Sequence, residues 1–178
     1  MIWQRNVNNG GIYLFQKSDK YPDTQAYNFI ISELNRRGVT VEDLADIAMD
    51  LQAKYNPDVP RSEFIDAAND ILHKREVMSI AMTGLALDNA ASNKQLPDPL
   101  QNIIGRDFAL YGVDELLAIG ITNLYGTVGV TNFGYVDKVK KGIIAKLDTD
   151  ENHVNTFVDD LVGAIAVATG AKVAFAHG

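Results

Sequence analysis

The chain has 178 residues, 47% hydrophobic and 22% charged, which suits one domain with a sizeable core. Its net charge of −7 argues against a nucleic-acid partner and gives no attraction to an anionic bilayer. The absence of cysteine excludes disulfides, thiolate nucleophiles and thiolate metal sites, and is compatible with a cytoplasmic location.

In chain order, residues 1–22 show little periodicity, contain the pair Gly10-Gly11 and read as a flexible N-terminal arm. The opening "MIWQRNVNNGG" lacks the apolar core of a signal peptide. "DTQAYNFIISELNRRG" places Tyr27, Ile30, Ile31 and Leu34 on one helical face and closes at Gly38. Thr40 and Asp43 stand at capping-box spacing before the stripe Val41, Leu44, Ile47, Ala48 and Leu51. After the break "NPDVP", the stretch "RSEFIDAANDILHKREVMSIAMTGLALDNAA" predicts one long helix, polar-faced at first and mostly apolar beyond Val77.

"KQLPDPL" breaks the chain again, and a short helix follows at 98–104. "GVDELLAIGITNLYG" predicts a largely apolar helix. "TVGVTNFGYVDKVKKG" reads as a glycine-rich loop with a helical turn, and "DTDEN" as an acidic loop. The last helix, over about 155–175, has no continuous polar face, which predicts a central position. No strand-like alternation is present. The longest apolar run, Leu161 to Ala168, is far short of the roughly 20 residues that span a bilayer, so a soluble protein is expected. The fold class is therefore all-α, with residues 23–178 forming a single-domain bundle of about six helices.

Adjacent acids on apolar helices raise a chemical question. Asp159 and Asp160 point about 100° apart on a helix, and each heads a stripe without further charge. A buried unpaired carboxylate is expensive, and a divalent cation removes that cost. The bland alternative is helix capping, since Thr156 and Asp159 fit a capping box. "VDELLAIGIT" repeats the layout of "VDDLVGAIAV", so Asp114 and Glu115 form a second pair of the same kind. Two such pairs suggest one carboxylate cluster for Mg²⁺ or Mn²⁺, held by Asp114, Glu115, Asp159 and Asp160. The glycine-rich stretch between the pairs offers Asn132 as a donor and Lys138 and Lys140 as charges for a phosphate. "DTDENHVNTFVD" imitates a calcium loop, but His153 stands where glycine is required.

The segments "GVDELLAIGITNLYG", "TNFGYVDK" and "TFVDDLVGAIAVA" resemble the phosphatidylglycerophosphatase A family, in particular its small helical YutG-like branch, also described as low-temperature-requirement protein C. The resemblance runs from about residue 23 to the C-terminus. It implies a six-helix bundle and three acidic motifs, here Asp114-Glu115, the lone Asp137, and Asp159-Asp160. It also implies Mg²⁺-dependent hydrolysis of phosphatidylglycerophosphate to phosphatidylglycerol and phosphate. Asp137 and Asp160 are then the catalytic carboxylates, with Asp137 either a general base or a nucleophile. The chain departs from membrane-bound members, which have transmembrane helices and a Lys-Pro-Trp-Pro stretch where "KVKKG" stands here. A soluble phosphomonoester or nucleotide therefore remains an alternative substrate, and a non-catalytic helical interaction protein an alternative class. The expected partner is a phosphomonoester, foremost a phospholipid, with peripheral contact at the membrane; a homo-oligomer stays open.

Overall fold

The structure, a computed structural model, describes residues 2–7, 13–18, 20–109, 111–150 and 152–178. Its two N-terminal stretches pair as an antiparallel hairpin of β1 (Ile2–Val7) and β2 (Tyr13–Ser18), with Trp3 opposite Lys17. This corrects the expectation of an arm without strands. Ladder hydrogen bonds use only the backbone, so a hairpin need not carry the alternation that records a face buried on a core. The pair Gly10-Gly11 lies outside the described residues.

Everything that follows is helical: α1 (Asp23–Arg36), α2 (Val41–Gln52), α3 (Arg61–Leu72), α4 (Arg75–Ser92), α5 (Leu100–Ile104), α6 (Val113–Thr122), α7 (Gly126–Val139), α8 (Ile143–Asp148) and α9 (Val158–His177). A 3₁₀ turn, Asn123–Tyr125, joins α6 to α7. The expected helix at the C-terminus is α9, and it is central: α2, α3, α4, α6, α7 and α8 all pack on it. Residues 158–171 and Val173 are buried all round its circumference. Small residues allow the close approach. A Cβ on Gly84 of α4 would lie 2.7 Å from Leu161 Cδ1 and 3.0 Å from Phe157 Cβ. The capping box at α2 forms as its spacing predicts, with both the Thr40 and Asp43 bonds present.

The helices number nine among the described residues, against about six expected. Two differences account for this. The long helix is divided into α3 and α4, where Lys74 adopts an extended conformation (φ −73°, ψ 128°). Neither glycine nor proline marks that break. Second, the glycine-rich stretch is helix α7, not a loop. Its glycines serve packing and termini: Gly126 (φ +65°) begins the helix, and a Cβ on Gly129 would come within 2.2 Å of the Thr122 carbonyl oxygen. Glycine spacing alone did not distinguish close helix packing from a loop.

The same reassignment changes the apolar profile. Residues 116–136 carry no charged side chain, and Val113–Val139 is long and apolar enough to cross a membrane by length and composition. Leu116, Leu124, Val128 and Tyr135 on this segment are exposed. Reading uninterrupted apolar runs missed it, because glycine, threonine and asparagine punctuate the stretch.

Candidate metal centre

The first turns of α6 and α9 meet, and they carry the two acidic pairs. Gly112, at φ +72°, turns the chain into α6 so that Asp114 and Glu115 follow immediately. Carboxylate oxygens of Asp114, Glu115 and Asp160 all lie within 4.8 Å of one another. Asp114 Oδ1 and Glu115 Oε2 are buried without any hydrogen-bond partner. Burial pushes the Asp114 carboxyl up to about 7, with the Glu115 carboxylate adding to the effect. Burial pushes Asp160 up to about 9, reinforced by the charges of Asp159, Asp137, Asp114 and Glu115. Three like charges gathered in a low-dielectric site, with unsatisfied oxygens, fit a cation. The all-oxygen donor set suits a hard divalent ion such as Mg²⁺ or Mn²⁺.

Asp159 is placed differently from its neighbour. Lys140 Nζ lies 2.9 Å from Asp159 Oδ2 and 2.5 Å from Asp148 Oδ1. Asp159 Oδ1 also accepts the Asp160 N–H at 2.9 Å. Burial raises the Asp159 carboxyl to about 6, with Lys140 opposing the shift. The two aspartates that share a helix turn thus differ: Asp159 is paired with a lysine, whereas Asp160 faces the like charges of the cluster.

A cleft of about 210 Å³ opens over these groups, and Asp137, Lys140, Asp107 and Tyr111 line it beside the cluster. Asp137 is close enough to raise Asp160 by its charge. Asn132 and Lys138 do not line this cleft. Lys138 is exposed on the last turn of α7. In the imitation calcium loop, Asp148 is held by Lys140 and Asp150 by His153 at 2.8 Å, so those acids face amino and imidazole groups.

Two residues of the site escaped the sequence reading. Asp107 lines the cleft from the turn after α5 at φ +47°, and burial raises its carboxyl. Asp88 acts from below. The helix α9 has no side-chain cap of its own, and Thr156 donates instead to the Ile104 carbonyl at 2.7 Å, so the alternative of a Thr156–Asp159 capping box is not formed. The fully buried Asp88 of α4 accepts the Phe157 N–H at 3.2 Å and the Val158 N–H at 2.9 Å. Burial pushes its carboxyl up to about 8, against those bonds and the Arg37 charge. Arg37 reinforces the same junction, donating to Asn155 Oδ1 at 3.3 Å and to Glu33 Oε2 at 2.9 Å. The available signal was a lone acid in the apolar second half of α4.

Residues 30–175 match the family described as phosphatidylglycerophosphatase A, a span that contains the whole acidic cleft. The chain belongs to the phosphatidylglycerophosphatase A family. Within reach of this family, YpjQ of Bacillus subtilis is 44% identical over 158 residues, covering 89% of each chain. YutG of the same organism is 44% identical over 144 residues, covering 80% of this chain and 87% of its own. The crystal structure of YpjQ superposes with a TM-score of 0.83, covering 88% of this chain and 98% of that one. The low temperature requirement C protein of Listeria monocytogenes gives a TM-score of 0.82 at 45% identity, covering 85% and 96%. Membership of the phosphatidylglycerophosphatase A family points to phosphatase chemistry, and the acidic cleft is where the fold gathers groups suited to it.

Proposed function

We propose that the protein is a divalent-metal-dependent phosphomonoesterase whose substrate is phosphatidylglycerophosphate. The observation that carries the reading is the pair of buried, unpartnered oxygens, Asp114 Oδ1 and Glu115 Oε2, beside Asp160. These three side chains would hold Mg²⁺ or Mn²⁺, which supplies neutralisation of phosphoryl charge. Asp137, on the cleft wall, takes the proton of the attacking water or attacks phosphorus itself. Lys140 keeps Asp159 charged and adds positive potential at the cleft, its own proton held tightly by Asp148 and Asp159 once burial is overcome. The carboxyl of Asp160 would give up its proton on binding a cation, which would couple metal binding to pH.

The exposed apolar side chains of Leu116, Leu124, Val128 and Tyr135 favour the lipid over a soluble ester. In this reading the α6–α7 segment rests on the bilayer surface and brings the cleft to the headgroups, as a peripheral contact. A phosphate-release screen of the purified protein with Mg²⁺ tests the assignment. Release from phosphatidylglycerophosphate in preference to soluble phosphomonoesters and nucleotides is expected. Release from soluble esters alone overturns the lipid and keeps the chemistry. No release from any of them, with metal bound, overturns the enzyme in favour of a binding role.

A further inference from the structure

We propose that a cavity beside the cleft is a second anion subsite, in which Lys94 and Arg106 hold the phosphodiester of the substrate while its terminal phosphate lies at the carboxylate cluster. The inference rests on the phosphomonoesterase reading and names the part of the substrate that reading leaves unplaced. The cavity encloses about 430 Å³ and shares Asp107, Thr156 and Asp159 with the cleft. That volume suits a small polar ligand.

The charges that line it are unequally committed. Asp148 and Asp159 are held by Lys140, and Asp150 by His153 and the Asn152 N–H. Asp107 stands on the wall shared with the carboxylate cluster. Lys94 and Arg106 line the same cavity and make no ion pair among the described residues. Ser92 Oγ accepts the Val154 N–H at 3.0 Å, which leaves its own O–H to donate. Asp107 also makes no ion pair among the described residues, so two uncommitted cations stand against one uncommitted carboxylate, and the balance favours an anion.

The backbone supplies an independent argument. Lys94, Asp107 and Lys140 have φ of +55°, +47° and +38°, the positive-φ residues other than glycine among those described. All three line one or both of the two cavities. Lys94 follows the end of α4, where its N–H bonds to Ala91 O at 3.0 Å and the Gln95 N–H to Ala90 O at 2.8 Å. Helices that end in this way usually place glycine there, because a Cβ is strained at positive φ. A lysine at such a position presents its side chain at the cost of backbone strain, a combination found at functional sites.

Lys94→Gly separates a binding role from a structural one, because it relieves strain. Its melting temperature should rise above wild type, and its Mn²⁺ titration should remain normal. Glycerophosphoglycerol, a phosphodiester without a scissile phosphate, is the direct probe. Calorimetry should show that it binds the wild type, and that Lys94→Gly and Arg106→Gln each weaken binding roughly tenfold. In turnover, both variants should raise KM for dihexanoyl phosphatidylglycerophosphate and for its deacylated counterpart more than for glycerol 3-phosphate. Which diester the wild type prefers identifies a lipid or a soluble source. Failure of glycerophosphoglycerol to bind, or unweakened binding by both variants, overturns the subsite even if phosphate release is observed. Binding that depends on both residues, with no ester hydrolysed, keeps the subsite and overturns the hydrolase.

Discussion

Lys140 Nζ sits 2.9 Å from Asp159 Oδ2, while the carboxylate of the next residue, Asp160, has joined Asp114 and Glu115. Adjacent acids at the start of one buried helix thus serve two purposes. One is neutralised by the protein, and the other is left for a cation.

Removing Lys140 should expose that division. The Asp159 side chain is only 7% exposed, so Lys140→Met leaves a buried carboxylate without its partner. The expected loss is about 3 kcal/mol. For a chain of this size that lowers the melting temperature by roughly 10 °C. The double variant Lys140→Met with Asp159→Asn should recover most of it, and thermal melts of the four proteins in the cycle measure the coupling. A double-variant loss equal to the sum of the two single losses would mean that the pair contributes no coupling.

Stability of the metal-free protein should fall as pH rises. The Asp160 carboxyl is held at about 9 in the fold against 3.8 for an unperturbed aspartate. The folded state therefore retains a proton that the unfolded chain releases, and stability is lost between those two values. Asp159 and Asp114, raised to about 6 and about 7, act in the same direction. Melts in chelator at pH 5, 7 and 9 should show the decline. Added Mg²⁺ should raise the melting temperature more at pH 9 than at pH 5, and Asp160→Asn should flatten the chelator profile. A chelator profile already flat in the wild type would contradict the burial of these acids.

Asp88→Ala should destabilise the start of α9. It leaves the Phe157 and Val158 N–H groups, now bonded to Asp88, without an acceptor. Two unsatisfied buried donors cost about 2–4 kcal/mol. Asp88→Asn keeps one acceptor oxygen and should lose less. Because this junction positions Asp159 and Asp160, the alanine variant should also bind Mn²⁺ more weakly. A pair of variants with wild-type melting curves would rule out Asp88 as the cap.

The central helix and the gathering of Asp114, Glu115 and Asp160 were legible in the sequence, because they follow from the missing polar face of α9 and the repeated layout of two acidic pairs, although Asp159, expected in the same cluster, pairs with Lys140 instead. The partner of each acid was not. Lys140 reaches Asp159 from the end of α7, and Asp88 reaches Val158 across 70 residues of chain, so no local spacing reports either contact. Lys138 and Asn132 looked equivalent to Lys140 as phosphate donors, but Lys140 stands just past the end of α7 at φ +38° and lines the cleft, whereas the other two do not. The helix α7 was obscured for a related reason. Gly126, Gly129 and Gly134 carry turn propensity locally, whereas at Gly129 the structure uses the missing Cβ for contact with Thr122.

That contact can be tested directly. Gly129→Ala places a Cβ within 2.2 Å of a backbone oxygen, which cannot rotate away as a side chain would. A loss of about 1–3 kcal/mol is expected in denaturant unfolding. Gly134→Ala has open space around the new methyl and should be neutral or slightly stabilising, as alanine is the better helix former. Equal effects at the two positions would contradict the packing of α7 against the end of α6.

The most direct test of the metal centre is a calorimetric titration of the chelator-treated protein with Mn²⁺ and Mg²⁺, in buffers of different ionisation enthalpy, for the wild type and Asp160→Asn. The wild type should bind and release protons at pH 7.5, because the Asp160 carboxyl, raised to about 9, must ionise to act as a ligand. Asp160→Asn should lose binding and the proton release with it. Absence of divalent-ion binding by the wild type, or binding undiminished in Asp160→Asn, would contradict the account.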